Sequence, residues 1–350
     1  MKNKNVAFVA GGTGGHINAA LAMGEAFEKI SYNPFYITGM RPLDYKLYPP
    51  QETFYLPAVA LRSKFFFSFI INFFKNINAF IKAFTILSKK KPLFVFGSGG
   101  YVCGPVCLAA YFLRIPVFIL EQNSVMGLTN KILAKFSKKV FVHFKQTQGM
   151  KKIVPVVVGN PIRSSIKEKL LNLESSPSAT FNVLVFGGSL GAMEINNLIL
   201  KYIEEDSDVP LFIKHQTGPA FIPPLKIGKN IQYEAVAYIE HIEQEYAKAQ
   251  FILCRAGASS LAELRYVKKP VLLVPYLKAT DDHQTKNAQL FQKEESFPVY
   301  IASVTELLQN DCRELKNFIQ QAKLAKQDER NVSEDSAMLI IKEIKKYVSI

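Results

Sequence analysis

The chain has 350 residues, 49% of them hydrophobic, with 43 Lys and Arg against 29 Asp and Glu. That length predicts two domains with a sizeable core, which excludes a disordered or low-complexity protein. Four cysteines (Cys103, Cys107, Cys254 and Cys312) have neither metal-ligand spacing nor the pattern of a disulfide framework, which fits a reducing cytoplasm.

The charge is uneven. Residues 1–160 hold 20 Lys and Arg against 5 Asp and Glu, a net +15, whereas residues 161–350 hold 23 against 24, a net −1. A basic first half suggests a nucleic acid or an anionic membrane as its partner. No recognisable nucleic-acid module is present, so a membrane surface is the better reading and nucleic acid is not expected.

In chain order, the apolar run Val6 to Ala10 is too short for a signal peptide and reads as a first strand. The GGTGGH stretch of residues 11–16 then turns into a helix over Ile17 to Ile30. A glycine-rich turn at a helix N-terminus is an anion site. The third glycine of a dinucleotide fingerprint is missing, Ile17 standing there, and no acid ends the next strand, Pro34 to Thr38. A dehydrogenase is therefore not expected. The absence of GxxxxGK argues equally against a P-loop enzyme.

From Leu61 to Lys91 there is no Gly or Pro, and lysines are interspersed among eight phenylalanines. A membrane span wants about 20 consecutive apolar residues, and Lys75, Asn76, Asn78 and Lys82 interrupt any such run. The stretch predicts an in-plane amphipathic surface, with Phe69, Phe73, Lys75 and Lys82 on the membrane side. A second glycine-rich turn, GSGGYVCGP at residues 97–105, follows the strand Leu93 to Phe96. The strand Pro116 to Leu120 then ends in Glu121, Gln122 and Asn123.

The turn-rich GNPIR at residues 159–163 is the expected domain joint. Phe181 to Phe186 restarts the strand–glycine–helix pattern with GGSLGA at residues 187–192. Strands Leu211 to Lys214 and Ile231 to Val236 lead on to the most informative stretch, residues 251–291. There Phe251 to Cys254 and Val271 to Val274 are apolar strands flanking a helix that directs Leu261, Leu264 and Tyr266 at a sheet. In such sheets ligands bind beyond the carboxyl ends of the strands. Glu263, Asp281, Asp282, His283 and Gln284 lie there. A carboxylate such as Glu263 can accept from both ribose hydroxyls, while small residues at 256–260 admit a phosphate to backbone N–H groups. This combination points to a nucleotide sugar. The last helix, over 334–350, carries an apolar stripe of Ile340, Ile341, Ile344 and Val348 behind Glu334 and Asp335.

In order, AGGTGGH, GSGGYVCGP, EQN with GLTNK, GNPIR, GGSLGA, HQTG, CRAGASSLAE and DDHQTKNA resemble the MurG family of undecaprenyl-diphospho-muramoylpentapeptide N-acetylglucosaminyltransferases. The resemblance implies an α/β GT-B fold, two Rossmann-like parallel-sheet domains facing a cleft. Residues 1–160 with helix 334–350 would form the acceptor and membrane-associating domain, and 161–333 the donor domain. It implies inverting transfer of GlcNAc from UDP-GlcNAc to the 4-hydroxyl of MurNAc in lipid I, making lipid II, with no cofactor and no obligatory metal. Partners would be UDP-GlcNAc, lipid I, an anionic membrane and other cell-wall synthesis and division proteins, at the cytoplasmic face of the inner membrane.

By resemblance, donor contacts fall on Thr13, Gly14, Gly15, Asn123, Arg163, Ser189, Ile239, Ala258, Ser259, Ser260, Leu261, Ala262, Glu263 and Gln284. Glu263 would hold the ribose, Ile239 the uracil and Gln284 the GlcNAc hydroxyls, with His16 as the base. The turns bearing Gly11, Gly12, Gly97, Gly99 and Gly100 are expected to receive the acceptor's pyrophosphate. Three positions depart from the family pattern: Ala19 for a proline, Leu120 for a histidine, and Leu190 for a glutamine. Another GT-B membrane glycosyltransferase, or a sugar-nucleotide epimerase, is the alternative.

Overall fold

The computed structural model describes residues 3–60, 66–150, 153–171, 180–188, 191–219, 224, 226–277, 279, 282–325 and 334–349, with the backbone alone at 66. Ser189, Leu190, Asp281 and the first five residues of the 61–91 stretch therefore lie outside the described residues. The chain divides into two units, Met1–Ser164 with Glu334–Ile350, and Ser165–Ser333.

The first unit runs β1 (Asn5–Ala10), α1 (Gly14–Lys29), β2 (Asn33–Thr38), α2 (Pro42–Leu47), β3 (Thr53–Tyr55), α3 (Phe66–Lys90), β4 (Val95–Gly99), α4 (Cys103–Phe112), β5 (Val117–Glu121), α5 (Leu128–Leu133), β6 (Lys139–Val142) and β7 (Val156–Val157). Its parallel sheet has the order β3-β2-β1-β4-β5-β6-β7. Strand order reverses between β1 and β4, the switch point where open sheets take ligands. Phe8, Phe27, Phe94, Phe96, Phe118 and Phe141 pack one face of this sheet, while Val9, Ile37, Val95 and Ile119 belong to the other. Apolar residues on both faces are what a parallel sheet covered by helices requires.

Helix α6 (Ser164–Leu171) begins at the last residue of the first stretch and carries the chain into the second unit. It is followed by β8 (Phe181–Phe186), α7 (Met193–Ile203), β9 (Leu211–Gln216), β10 (Ile231–Val236), α8 (Ile242–Lys248), β11 (Phe251–Cys254), α9 (Ala258–Val267), β12 (Val271–Leu273), α10 (His283–Glu294), β13 (Val299–Ile301), α11 (Val304–Leu308) and α12 (Arg313–Leu324). This sheet is also parallel, ordered β10-β9-β8-β11-β12-β13. Its switch point lies between β8 and β11. The final helix α13 (Ser336–Ile344) returns to the first unit, where Ile340, Ile341 and Ile344 share a core cluster with Ile17, Ala20 and Met23 of α1.

Several boundaries differ from the sequence expectation. Helix α1 starts at Gly14, not Ile17, because the Thr13 hydroxyl caps it by accepting from His16 N at 3.5 Å. Gly14, Gly15 and His16 thus form its first turn. Strand β4 runs on to Gly99, so Gly97 and Gly99 are strand residues. Gly104 and Pro105 lie in the first turn of α4, where a missing N–H costs no hydrogen bond. Strand β9 includes His215 and Gln216. On α9, Tyr266 is not buried against the sheet; Leu261, Leu264 and Val267 are. Helix α13 is shorter than residues 334–350, capped by Asp335, which accepts from Ala337 N at 2.9 Å.

Helix α3 is long and apolar enough, by length and composition, to cross a membrane. Its C-terminal half nevertheless buries Ala79, Ala83 and Leu87 in the core of the first unit, with residues of α4 beside them. Its N-terminal half leaves Phe69 45%, Phe73 49% and Phe74 63% exposed, and Lys75 and Lys82 are exposed as well.

Candidate active site

In the first unit, the carboxyl ends of β1 and β4 bring the two glycine turns into contact. Gly12 and Gly100 have φ of +94° and +89°, a region that favours glycine. A β-carbon on Gly100 would fall 2.0 Å from the Gly11 carbonyl oxygen. His16 lies at this meeting point. Its Nδ1 is 3.1 Å from Thr13 Oγ1, and its carbonyl oxygen accepts from Ser98 Oγ at 2.8 Å. Gly14, by contrast, has open space where a β-carbon would be.

The neighbouring loops are fixed by two buried carboxylates. Glu121, at the end of β5, accepts from Asn123 N at 3.0 Å, Gly127 N at 3.0 Å and Asn130 Nδ2 at 2.8 Å. Burial pushes its carboxyl pKa up, against the pull of those donors. Glu121 thus sets the backbone that carries Asn123. Asp44 accepts from Thr38 Oγ1 at 3.1 Å and from Arg41 N at 2.9 Å. Arg41 in turn lies over the Tyr101 ring at 4.6 Å and donates to Gly12 O at 3.4 Å. This arrangement of Arg41, Asp44 and Tyr101 has no signature in the linear sequence. Arg163 pairs with Glu25 through Nε at 3.1 Å, beside the end of the first unit.

Of the family departures, Ala19 is buried on α1, where a proline would have lacked its N–H, and Leu120 is buried in the core. Both are accommodated as apolar packing.

In the second unit, the end of β9 and the loops after β8, β10, β11 and β12 are tied together. Gln216 Nε2 donates to Gly188 O at 2.8 Å, and its Oε1 accepts from Ile239 N at 2.8 Å. One amide therefore joins the GGSLGA turn to the residue expected at uracil. Arg255 donates to Val274 O and Pro275 O at 3.1 and 3.0 Å and pairs with Glu194. Asn287 Nδ2 reaches Ala256 O at 3.2 Å. Gln284 Oε1 accepts from Tyr276 N at 2.9 Å, which orients the amide while leaving its N–H groups as donors. His215, next to Gln216, is pushed down to about 4 by burial and contacts Tyr233 Oη at 2.9 Å, so it sits neutral in the sheet.

Glu263 lies in the second turn of α9, the helix that follows the small residues Ala256, Gly257 and Ala258. The Ser259 hydroxyl there is buried with no hydrogen-bond partner among the described residues. Glu263 Oε2 accepts from Tyr246 Oη at 2.9 Å. Burial raises the Glu263 carboxyl pKa to about 7; the Tyr246 hydrogen bond opposes this shift and Glu243 adds to it. Of the expected site residues, Thr13, Gly14, Gly15, His16, Asn123 and Arg163 are on the first unit. Ile239, Ala258 to Glu263 and Gln284 are on the second.

Two Rossmann-like parallel-sheet units with glycine turns and polar side chains at their strand ends define the GT-B fold of glycosyltransferases and related sugar-nucleotide enzymes. Residues 6–142 match the glycosyltransferase family 28 N-terminal domain, and residues 182–344 its C-terminal domain. The UDP-N-acetylglucosamine–N-acetylmuramyl-(pentapeptide) pyrophosphoryl-undecaprenol N-acetylglucosamine transferase of Myxococcus xanthus is 37% identical over 296 residues, 81% of this chain and 76% of that protein. The crystal structure of Acinetobacter baumannii MurG superposes with a TM-score of 0.79 at 25% identity, covering 98% and 99% of the two chains. The UDP-GlcNAc 2-epimerase of Neisseria meningitidis reaches 0.59 at 13% identity, covering 98% of this chain and 100% of that one, and shares the fold alone. The chain belongs to glycosyltransferase family 28 and, within it, to the MurG family.

Proposed function

We propose that this protein transfers GlcNAc from UDP-GlcNAc to the 4-hydroxyl of MurNAc in lipid I, forming lipid II. The observation that carries this reading is the kinship through both units, at 37% identity, with a transferase whose name states those substrates. An epimerase needs no lipid acceptor, and its likeness rests on fold alone.

In this reading the second unit holds the donor, and the first unit holds the acceptor. Glu263 accepts from the ribose hydroxyls, Ile239 lies at the uracil, and Gln284 donates to the GlcNAc hydroxyls. The N–H groups at the start of α9 face the diphosphate, where the helix dipole favours negative charge. Thr13, Gly14, Gly15, Asn123, Arg163 and Ser189 complete the donor contacts. The acceptor's pyrophosphate rests where the turn of Gly11 and Gly12 meets Gly99 and Gly100 at the end of β4, with Gly97 inside that strand behind them.

The 4-hydroxyl oxygen attacks the anomeric carbon on the face opposite the UDP. The new C–O bond forms as the bond to the β-phosphate oxygen breaks, so configuration inverts and UDP leaves. The hydroxyl proton goes to His16, whose ring the Thr13 hydroxyl and the Gly99 backbone hold in place. A neutral imidazole nitrogen is the acceptor this step requires.

A polyprenyl diphosphate stays in its bilayer, so the enzyme comes to it as a peripheral protein. The exposed side chains of α3, Phe69, Phe73, Lys75 and Lys82 among them, are the docking surface. The buried face of α3 keeps the helix on the protein rather than across the membrane. The deciding experiment incubates the protein with UDP-[labelled GlcNAc] and lipid I. Label should move to the lipid phase; label that stays water-soluble as a rearranged nucleotide sugar would overturn the transferase reading.

A further inference from the structure

Helices α8 and α9 are joined at two points by buried polar side chains. Tyr246, on α8, is fully buried, and its ring packs edge-on at 6.0 Å against Phe186 at the end of β8. Its hydroxyl donates to Glu263 Oε2 at 2.9 Å. Lys269, just after the left-handed residue Lys268 that ends α9, is also buried. Lys269 Nζ donates to Tyr246 O at 2.7 Å and to Ala247 O at 2.6 Å.

The chemistry of these contacts is specific. The carbonyls of a helix's last turn have no intrahelical donors, and a cation there also meets the negative end of the helix dipole. A buried ammonium is costly unless such bonds satisfy it, so Lys269 is committed to the end of α8. A phenylalanine would fill the volume of Tyr246 equally well; the hydroxyl adds one donor, and that donor goes to the carboxylate. The last torsion of a glutamate is otherwise broad. With Oε2 held by Tyr246, the carboxylate plane is set, and its remaining lone pairs can meet two adjacent hydroxyls.

We propose that Tyr246 and Lys269 are positioning residues for ribose recognition: Tyr246 sets the Glu263 carboxylate for the vicinal diol of the donor nucleotide, and Lys269 sets Tyr246 by anchoring the end of α8. This rests on the assignment of Glu263 to the ribose. The groups facing Glu263 are Tyr246 and Glu243 from α8 and Cys254 from β11. Glu243 repels it, while the Cys254 thiol is itself raised by burial and by Glu263 and stays neutral. Tyr246, likewise raised by burial, stays a donor. Losing the Tyr246 donor therefore favours the protonated carboxyl, a poorer acceptor for hydroxyls.

The test is calorimetric titration of UDP and of 2′-deoxy-UDP into the full-length protein and its variants Tyr246→Phe, Lys269→Met and Glu263→Ala, at several pH values. Tyr246→Phe should weaken UDP by about tenfold near neutral pH, as for one lost charge-assisted bond, and weaken 2′-deoxy-UDP, which keeps only one of the two hydroxyls, distinctly less. The UDP to 2′-deoxy-UDP ratio should recover partly as pH rises, because alkali restores the carboxylate. Lys269→Met should lower the ratio in the same direction with Tyr246 intact, and Lys269→Arg should restore part of it. In turnover, donor KM should rise more than kcat falls. A wild-type ratio at every pH in Tyr246→Phe, alongside a collapsed ratio in Glu263→Ala, would overturn the positioning proposal alone. A wild-type ratio in Glu263→Ala would overturn the ribose assignment beneath it. Because Tyr246→Phe keeps the ring, it decides the matter even if Lys269→Met fails to fold.

Discussion

The His16 ring lies directly on the Gly99 backbone: a β-carbon added at Gly99 would fall 2.6 Å from His16 Cδ2. Gly99 also has a φ of +115°, where side chains are strained. Gly99→Ala should therefore both lower stability, by about 1–3 kcal/mol, and displace the imidazole, cutting kcat. Gly14→Val is the contrasting change, because nothing stands within 4 Å of its β-carbon position. It should leave the melting temperature almost unchanged and raise KM for UDP-GlcNAc, because Gly14 is among the donor contacts and a side chain there blocks backbone approach. Thermal melts and substrate titrations on the two variants check this, and an unchanged UDP-GlcNAc KM with weakened lipid I would give Gly14 to the acceptor.

Removing the imidazole tests the base. His16→Ala should reduce kcat by about 10²–10⁴-fold at saturating lipid I while UDP affinity stays within about twofold. A kcat near wild type would place the base elsewhere or make it water.

Glu263 predicts opposite pH effects on folding and on binding. Its folded pKa, about 7, is raised above the ordinary carboxylate value of 4.5. The stability it contributes is therefore fully present below about pH 4.5 and lost as pH rises through about 7, by roughly 3 kcal/mol. Glu263→Gln carries no such titration, so wild type should lose stability relative to that variant across this window. Ribose binding needs the ionised form, so the wild-type advantage in UDP affinity over Glu263→Gln should grow as pH rises through 7. The ionisation of UDP itself is common to both proteins and cancels in the comparison. Glu263→Ala should lose at least about tenfold in affinity at alkaline pH, since charge-assisted bonds are worth about 1.5–3 kcal/mol each.

Membrane docking by α3 predicts sedimentation with anionic liposomes, release at high salt, and weaker capture by neutral lipid. Each lysine near such a surface contributes about 1 kcal/mol, and exposed phenylalanines add about 25 cal/mol per Å² buried. Replacing Phe69, Phe73, Lys75 and Lys82 together should reduce sedimentation and leave UDP affinity intact. Equal sedimentation of wild type and the quadruple variant would move the attachment site elsewhere.

The paired strand–glycine–helix pattern was legible because parallel strands covered on both faces leave unbroken apolar runs, as in Val6 to Ala10 and Phe251 to Cys254. The amphipathic face of α3 was legible in its composition. Helix starts were less so. The Thr13 hydroxyl moves the start of α1 back to Gly14 by a bond that residue spacing does not announce.

What the sequence determined by itself is therefore the local chemistry: two glycine-punctuated α/β units, an acid on the helix after β11, and a basic, aromatic first half. Those features follow from hydrophobic period, turn residues and charge, all of which act over a few neighbours along the chain. Only the tertiary structure decided which side chains hold the functional ones. Tyr246 and Glu263 are 17 residues apart in the chain, Gln216 and Ile239 are 23 apart, and the Arg41 contact to Gly12 spans 29. A hydrogen bond over such a separation forms because packed helices and parallel strand register bring the two groups within 3–3.5 Å, and no residue pattern along the sequence encodes that distance.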